Sequence, residues 1–264
     1  MLAENSILNE TERITVTFDD GNTYPAKLKK QDKNLGIAIF SVEKTKLKTG
    51  TLNYIRLAKL GNSNLVARGN MLIALGKPFG YSNGLGYGVV SSVKKSISYA
   101  DGDYRLLLSD IAGSDNGSGF LLNMQGEIDG IIKRDITDDS SLCVSNALAI
   151  SDLKESIELL SNGKNVPYIG ISGTEVTESI EQEQGVPRGI YVRNAEPDSP
   201  AMEAGIQSGD IITNVEKSKI VTLNAYQSNI LKYRVGEKVK LSGQRRSNGG
   251  YVEIEFVVTI GNRE

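Results

Sequence analysis

Apolar and polar residues alternate along most of the first half of the chain, with the spacing of β-strands. The stretch from Ile14 to Lys30 alternates on both sides of Asp20-Gly21, so it predicts two strands joined by a tight turn. Similar apolar runs follow, separated by Gly, Asn and Asp, at 36–42, 71–76, 87–93, 104–111, 120–123, 127–133 and 142–150. This pattern predicts a mainly β barrel or sandwich rather than alternating strands and helices.

Helical periodicity first becomes clear near residue 151. Residues 151–163 predict a helix that Ser151 caps and Gly163 ends, with an apolar face formed by Leu153, Ile157 and Leu160. A short linker follows at 163–166, and the chain then changes character. We therefore expect two domains, 1–162 and 167–264.

The second part of the chain carries its own start and stop signals. Ser199 as a cap, Pro200 at the first helical position and Gly205 after the last turn predict a one-turn helix. A strand at 211–215 and a closing hairpin around 248–250 are also expected. A longer helix should begin at Thr222, with one face formed by Leu223, Tyr226, Ile230 and Tyr233.

Composition and charge restrict the classes of function. Hydrophobic residues make up 39% and charged residues 23% of the 264 residues, enough for a folded core. Thirty basic and 32 acidic residues give a net charge of −2, which offers no field to attract nucleic acid or an anionic membrane. No apolar run approaches the roughly eighteen residues needed to span a bilayer, and the first residues lack the regions of a signal peptide.

The chain has no histidine and a single cysteine, Cys143. The commonest metal ligand and the commonest general base are therefore both missing, and we interpret Cys143 as a buried structural thiol. The acidic pairs Asp101 with Asp103 and Asp138 with Asp139 lack the pattern of a calcium loop, so they are interpreted as solvated turn residues. Neither a metal nor a cofactor is expected.

Three motifs stand in order in the second part: Tyr168-Ile169-Gly170-Ile171, SPAMEAGIQSGDII at 199–212, and the helix from Thr222. At this spacing they resemble a PDZ domain of the type found in bacterial HtrA proteases, over nearly all of 167–262. The resemblance implies a small, partly open α+β barrel with two helices that binds protein C-termini or extended peptides.

The motif at 168–171 has a physical reason to bind a carboxylate. Consecutive backbone N–H groups form an anion site, and the strand that follows can pair with a peptide. Glycine at Gly170 lets the backbone approach the ligand closely. The resemblance also implies that Leu223 and Tyr226 line the peptide groove; the alternative is that these two residues belong only to the core.

The first part is similar to the trypsin-like protease domain of the same family, a double β-barrel. The similarity covers residues 5–160 and rests on the segments at 14–28, 57–80, 87–93, 113–123 and 121–132. The family has strands of the first barrel ahead of its catalytic histidine. The chain begins only a few residues before that position, so either the sequence is truncated or the N-terminal barrel is incomplete.

The resemblance places Ser6 at the position of the catalytic histidine, Gly36 at the aspartate and Gly117 at the nucleophile of GSDNGSGFLLN (113–123). Ser118 lies one residue later. Because a serine hydroxyl needs an adjacent base, we expect no catalytic residues. Ser118, with a shifted register and a lysine as base, remains the fallback nucleophile.

Together these features suggest an HtrA-like pseudoprotease whose PDZ domain binds peptides or protein C-termini as a regulatory module. One alternative is a serine endopeptidase of protein quality control with a non-standard or partner-completed site. Another is an assembly subunit that modulates active homologues. The resemblance implies a homo-trimer or a hetero-oligomer with active homologues in an extracytoplasmic location, attached to a membrane only through an anchor absent from this chain.

Overall fold

The computed structural model describes residues 1–8, 13–133 and 144–262, which form two compact units. Strands account for 44% of residues and helices for 19%, which confirms the mainly β prediction. Some sequence predictions fall outside the described residues. These are the buried thiol predicted for Cys143 and the solvated turn residues predicted for Asp138 and Asp139. The first unit contains 1–31, 36–97 and 104–163, and the second contains 32–35, 98–103 and 164–264.

The chain up to residue 163 forms mostly short strands. They are β1 (Leu2–Glu4), β2 (Ile14–Thr17), β3 (Thr23–Asp32), β4 (Ile37–Ser41), β5 (Met71–Lys77), β6 (Gly84–Ser92), β7 (Ser96–Tyr99), β8 (Gly102–Ser109), β9 (Ser118–Leu122), β10 (Ile128–Ile132) and β11 (Ala147–Ala149). The helices are α1 (Thr49–Tyr54) and α2 (Ile150–Ser161), with 3₁₀ turns at Asn5–Leu8, Lys44–Lys46 and Ser63–Leu65.

The first sheet has the strand order β1-β4-β3-β2. Its β2–β3 hairpin pairs Ile14 with Ala26 and turns at Gly21, whose φ of +76° suits a residue without a Cβ atom. The hairpin predicted from the sequence is therefore confirmed. Ala26, Ala38 and Phe40 form the buried core of this sheet.

The second sheet has the order β11-β10-β9-β5-β6-β8-β7, and β11 also pairs with β8. This pairing closes the sheet into a barrel and leaves β7 outside the closed ring. Along β5, buried residues alternate with more exposed ones, as the period of two requires. The barrel core includes Leu72, Val90, Leu107, Leu121 and Ala147, each almost fully buried.

Helix α2 confirms the predicted apolar face but corrects its start. Leu153 and Leu160 are fully buried, and Gly163 follows the helix with φ +74°. The N-cap is Ala149 rather than Ser151. The Ser151 hydroxyl instead accepts from the Ser63 backbone N–H at 3.0 Å, while the Ser63 hydroxyl accepts from the Ser151 N–H at 2.9 Å. This reciprocal pair ties the first turn of α2 to a distant 3₁₀ turn.

The second unit contains a sheet of the order β13-β14-β15-β17-β18, with β16 paired to β15. A separate small pairing joins β12 to β19. The strands are β12 (Pro167–Tyr168), β13 (Ile171–Glu175), β14 (Ile190–Ala195), β15 (Ile211–Val215), β16 (Ser218–Lys219), β17 (Lys238–Ser247), β18 (Gly250–Thr259) and β19 (Gly261–Asn262). The helices are α3 (Glu178–Gln184), α4 (Pro200–Glu203) and α5 (Leu223–Ile230).

Two helix caps in this unit are as predicted. The Ser199 side chain accepts from the Met202 N–H at the start of α4, and the Thr222 side chain accepts from the Ala225 N–H at the start of α5. Helix α5 ends at Ile230, so the predicted continuation to Tyr233 is wrong. Over the part of the chain described, no helix has the length and apolar character needed to cross a membrane.

Replacing Arg245 by alanine should lower the free energy of unfolding of the second unit by about 2 kcal/mol. The buried Asp210 carboxylate accepts from Arg245 Nε at 2.6 Å and from Nη2 at 2.8 Å, and Nη2 also donates to Gly205 O. The variant leaves a buried carboxylate without its ion pair, although partial exposure of the arginine moderates the loss. Urea denaturation measures the effect. Arg246→Ala, at the exposed neighbouring position, is the matched control; an equal loss in both variants would contradict the assignment.

Candidate functional site

The positions assigned to the missing triad partners lie close together in the first unit. Ser6 sits in the 3₁₀ turn Asn5–Leu8, and its hydroxyl donates to Glu4 Oε2 at 3.2 Å. The neighbouring Asn5 N–H donates to Gly36 O at 3.0 Å. The structure therefore brings the Ser6 and Gly36 stretches into contact, but neither supplies a base.

Gly36 has a left-handed backbone, with φ +66°. A Cβ atom at this position would collide with the ammonium group of Lys133 and lie 3.5 Å from Asn5 Oδ1. The place where an aspartate side chain would begin is therefore next to a cation. Sequence reasoning did not identify Lys133 as part of this region.

Gly117 lies in a tight turn, where its N–H donates to Ser114 O at 2.7 Å. A Cβ atom on Gly117 would lie 2.7 Å from Pro78 O and 2.8 Å from Ser114 O, closer than real Cβ contacts permit. Ser118 begins β9 opposite Lys77. Within the described residues, its hydroxyl makes no hydrogen bond.

In the part of the chain that the structure describes, no base is hydrogen-bonded to the Ser118 hydroxyl. The whole chain lacks histidine, and a serine hydroxyl at its ordinary pKa reacts slowly without a base. Among the residues that the structure describes, no group of three or more Asp, Glu, Cys or His side chains could hold a metal ion. The polar groups that the described residues bring to this region include the Ser118 hydroxyl, Lys77 opposite it in the sheet, and the Lys133 ammonium beside Gly36.

A second site lies at the loop 168–171 in the second unit. The loop carbonyls bond to the domain itself, because Ala201 N–H donates to Ile169 O and Glu196 N–H donates to Gly170 O, both at 2.9 Å. Gly170 has φ +95°, and a Cβ atom there would collide with the Ser199 side chain and lie 2.6 Å from the Tyr168 hydroxyl. With the carbonyls held on one side, the N–H groups face the other.

Three consecutive N–H groups of this loop converge on one carboxylate, that of Asp101. Ile169 N and Gly170 N each lie 2.8 Å from Asp101 Oδ2, and Ile171 N lies 3.0 Å from Oδ1. The Tyr226 hydroxyl also donates to Oδ1, at 2.9 Å. The loop is therefore a built anion site, which we call the carboxylate loop.

The backbone of Asp101 joins the same site. Its N–H donates to Ile171 O at 2.7 Å, and the Asn34 side chain donates to the carbonyl of the preceding Ala100 at 3.1 Å. Asp101 has φ +60°, a conformation that aspartate tolerates better than most residues. With only 7% of its surface exposed, Asp101 is not the solvated turn residue predicted from the sequence.

The carboxylate loop leads directly into an edge strand. Among the described strands, β13 pairs only with β14, and helix α5 packs beside it. Leu223 and Tyr226 of α5 are both buried in the core of the second unit, and Tyr226 also turns its hydroxyl towards the loop. Burial and the negative charge of Asp101 raise the pKa of Tyr226 well above its usual value, so this hydroxyl stays a donor.

Two family models match the chain. The trypsin-like peptidase domain matches residues 2–131, and the PDZ domain matches residues 167–256. The first match contains Ser6, Gly36, Gly117 and Ser118, and the second contains the whole carboxylate loop. These matches confirm the predicted fold class, a trypsin-like domain followed by a PDZ domain.

Curated relatives include two proteases of Escherichia coli strain K12. The periplasmic pH-dependent serine endoprotease DegQ is 29% identical over 265 residues, which cover 98% of this chain and 56% of DegQ. The periplasmic serine endoprotease DegP is 26% identical over 269 residues, which cover 100% of this chain and 55% of DegP. The chain thus spans about half the length of the curated relatives it matches.

Solved structures share the same fold. The HtrA-type protease AlgW with decapeptide superposes with a TM-score of 0.68 and 21% identity, over 100% of this chain and 79% of that one. The serine endoprotease from Yersinia pestis gives a TM-score of 0.61 and 23% identity, over 100% and 85% of the two chains. At these identities the likeness is one of fold.

Proposed function

We propose that this chain, a trypsin-like peptidase domain followed by a PDZ domain, belongs to the HtrA family and is a pseudoprotease whose PDZ domain binds C-terminal or extended peptide segments. The observation that carries the proposal is the carboxylate loop, where three consecutive N–H groups hold a carboxylate. Here the Asp101 side chain stands in for the terminal carboxylate of a peptide. A loop that binds one carboxylate in this geometry has the donors to bind another.

Strand pairing supports the same function. A peptide that enters the carboxylate loop can continue along β13, whose outer edge has no strand partner among the described residues. Main-chain hydrogen bonds along such an edge provide affinity, and side-chain contacts with α5 provide selectivity. The AlgW structure contains a decapeptide, which is consistent with peptide binding by this fold.

A peptide array tests the proposed binding on the full chain. Peptides with free C-terminal carboxylates should bind, whereas the same sequences with amidated ends should bind far more weakly, because the amide removes the charge that the loop selects. Equal binding of free and amidated peptides would argue against recognition of the terminus. No binding above background in either form, with Asp101 present or replaced by asparagine, would overturn the function.

The pseudoprotease part of the proposal rests on mechanism. Ser6, Gly36 and Gly117 stand at the positions where the family resemblance places the triad, and none can act as general base or activated nucleophile. Loss of the base alone lowers the rate of such enzymes by several orders of magnitude. The trypsin-like unit would then serve as a scaffold.

The protein should not react with a fluorophosphonate probe. The Ser118 hydroxyl has no hydrogen-bonded base among the described residues, so its oxygen stays protonated and weakly nucleophilic. Intact-mass measurement after incubation with the probe checks this, with DegQ as the reactive control. Labelling that disappears in Ser118→Ala would contradict the pseudoprotease assignment.

One observation favours the alternative, a serine endopeptidase with a non-standard site. The pairing of β5 with β9 sets Lys77 directly opposite Ser118. Facing residues on antiparallel strands have Cβ atoms about 4.5–5.5 Å apart, and Ser–Lys pairs are catalytic on other folds. Labelling of Ser118 that is lost in Lys77→Met would support this alternative.

The names of the relatives support a location, and the family resemblance is the basis for an assembly. Because DegQ and DegP are named as periplasmic, we propose an extracytoplasmic location for this chain. We further propose that it forms a homo-trimer or a hetero-oligomer with active homologues. Native mass measurement of the purified protein, alone and mixed with an active relative, tests the assembly; a monomer in both samples would contradict it.

A further inference from the structure

The carboxylate loop of this protein is occupied by a side chain of the protein itself. Asp101 lies 68 to 70 residues ahead of the loop in sequence, but its segment 98–103 belongs to the same compact unit. The Asp101 carboxylate accepts hydrogen bonds from the N–H groups of Ile169, Gly170 and Ile171 at 2.8–3.0 Å. A second carboxylate cannot use the same donors at the same time.

Asp101 resembles a bound peptide C-terminus in its backbone hydrogen bond as well as in its carboxylate. Besides presenting two carboxylate oxygens, Asp101 donates its own N–H to Ile171 O at 2.7 Å. This is the first hydrogen bond that a strand added along β13 would form. Asp101 therefore occupies both the anion site and the beginning of the strand-pairing edge.

The segment is held at the loop by further contacts. The Tyr226 hydroxyl donates to Asp101 Oδ1, and Asn34 donates to the carbonyl of Ala100. A Cβ atom on Gly102 would lie 2.9 Å from the Gln227 side chain, so the chain passes close to α5 at this point. These contacts give the internal carboxylate a high effective concentration at the loop.

We propose that Asp101 is an internal competitive ligand of the PDZ domain, and that a peptide C-terminus binds only when segment 98–103 leaves the carboxylate loop. This inference rests on the proposed peptide-binding function. The incoming terminus replaces the hydrogen bonds of Asp101 one for one. The affinity of the protein for peptides is therefore reduced by the fraction of molecules in which the loop is free.

The size of the effect follows from that fraction. If segment 98–103 occupies the loop in about nine molecules of ten, the apparent dissociation constant rises about tenfold. Asp101→Asn weakens the internal ligand with little change in shape. Asparagine tolerates the left-handed backbone at this position, but it loses the negative charge and turns an NH₂ donor towards N–H donors.

Peptide affinities of the full chain and its variants test the competition. The probe is a fluorescein-labelled peptide with a free C-terminus, chosen by screening a random C-terminal peptide array against the Asp101→Asn chain. We expect Asp101→Asn to bind this probe at least about tenfold more tightly than the unsubstituted chain. Asp101→Ala serves as a second variant, and thermal melting verifies that both fold.

Asp103→Asn is the matched control. Asp103 lies in the same segment, and its replacement by asparagine removes the same charge. The Asp103 carboxylate, however, accepts a hydrogen bond from the Ser98 hydroxyl at 2.5 Å rather than from the loop. The affinity of the Asp103→Asn variant for the probe should equal that of the unsubstituted chain. An equal gain in Asp103→Asn would mean that the effect is one of general charge, and would overturn the proposal.

The remaining outcomes separate this proposal from the function on which it rests. A probe that binds the unsubstituted chain and both Asp101 variants equally leaves peptide binding intact but overturns competition. A screen that finds no peptide for any variant overturns peptide binding itself. Amide chemical shifts of Ile169, Gly170 and Ile171, recorded without peptide, provide an independent readout. Unchanged shifts in Asp101→Asn would show that Asp101 does not occupy the loop in solution.

Discussion

In the Asp101→Asn chain, where the internal carboxylate no longer competes, replacing Gly170 by alanine should weaken binding of a C-terminal peptide by at least about a hundredfold. The added Cβ atom would collide with the Ser199 side chain, and the backbone there has φ +95°, which alanine rarely adopts. The loop must therefore shift, and the N–H groups at 169–171 lose their common target. Losing two charge-assisted hydrogen bonds, each worth about 1.5 kcal/mol, corresponds to this change in affinity.

Fluorescence polarisation with the labelled peptide measures the effect, and the matched control is Gly185→Ala. Gly185 ends α3 with φ +65°, but a Cβ atom there meets nothing within 4 Å. The control therefore carries the strain of a left-handed alanine without any obstruction of the loop, and its peptide affinity should stay unchanged. Tight binding by a folded Gly170→Ala chain would show that the carboxylate loop is not the site.

Features with a local cause could be predicted from the sequence. The β2–β3 hairpin needed only the alternation around Asp20-Gly21, and the caps Ser199 and Thr222 needed only a hydroxyl one position before a helix. The core face of α2 followed from its period. In each case the residues that determine the structure lie close together in sequence, so the local pattern is sufficient to predict it.

Features that depend on distant contacts escaped prediction. Ser151 has the right side chain for an N-cap, but its hydroxyl is used by Ser63, 88 residues away in sequence. Asp101 has the composition of a solvated turn, and only the fold reveals that the amides of the carboxylate loop surround it. The sequence identified the loop through the PDZ resemblance, yet no local signal could show which carboxylate fills it.

The degenerate triad combines both situations. Ser6, Gly36 and Gly117 could be assigned from the family resemblance, because each lies in a stretch with a recognisable neighbour. The surroundings of these residues could not be predicted from the sequence. The Lys133 ammonium next to Gly36, and the carbonyls of Pro78 and Ser114 around Gly117, come from segments that the chain brings together only on folding.

Placing a catalytic triad at the positions assigned by the family resemblance, with Ser6→His, Gly36→Asp and Gly117→Ser together, should give no casein hydrolysis above that of the unsubstituted chain. Gly117→Ser alone should lower the free energy of unfolding by about 3 kcal/mol. A Cβ atom on Gly117 would lie 2.7 Å from Pro78 O and 2.8 Å from Ser114 O, and both are backbone atoms that cannot rotate away. The turn must open to admit the serine, which moves the nucleophile away from any histidine placed at position 6.

The other two replacements lie next to side chains rather than backbone atoms. The atom nearest to a Cβ at Gly36 is the end of the Lys133 side chain, which can swing aside or pair with the new carboxylate. Ser6 donates only a weak bond to Glu4 among the described residues, at 3.2 Å. The obstacle to activity is therefore concentrated at Gly117, where a rigid backbone excludes the side chain that the reaction needs.

Urea denaturation of the single variant and casein hydrolysis by the triple variant check the two parts of this prediction. Gly50→Ser is the matched control for stability, because Gly50 lies in the same unit and a Cβ atom there meets nothing within 4 Å. Its stability should stay within about 0.5 kcal/mol of the unsubstituted chain. Casein hydrolysis by the triple variant above the background of the unsubstituted chain would show that the turn can still form a catalytic loop. The proposed inactivity would then be due to three side chains and not to the backbone that surrounds them.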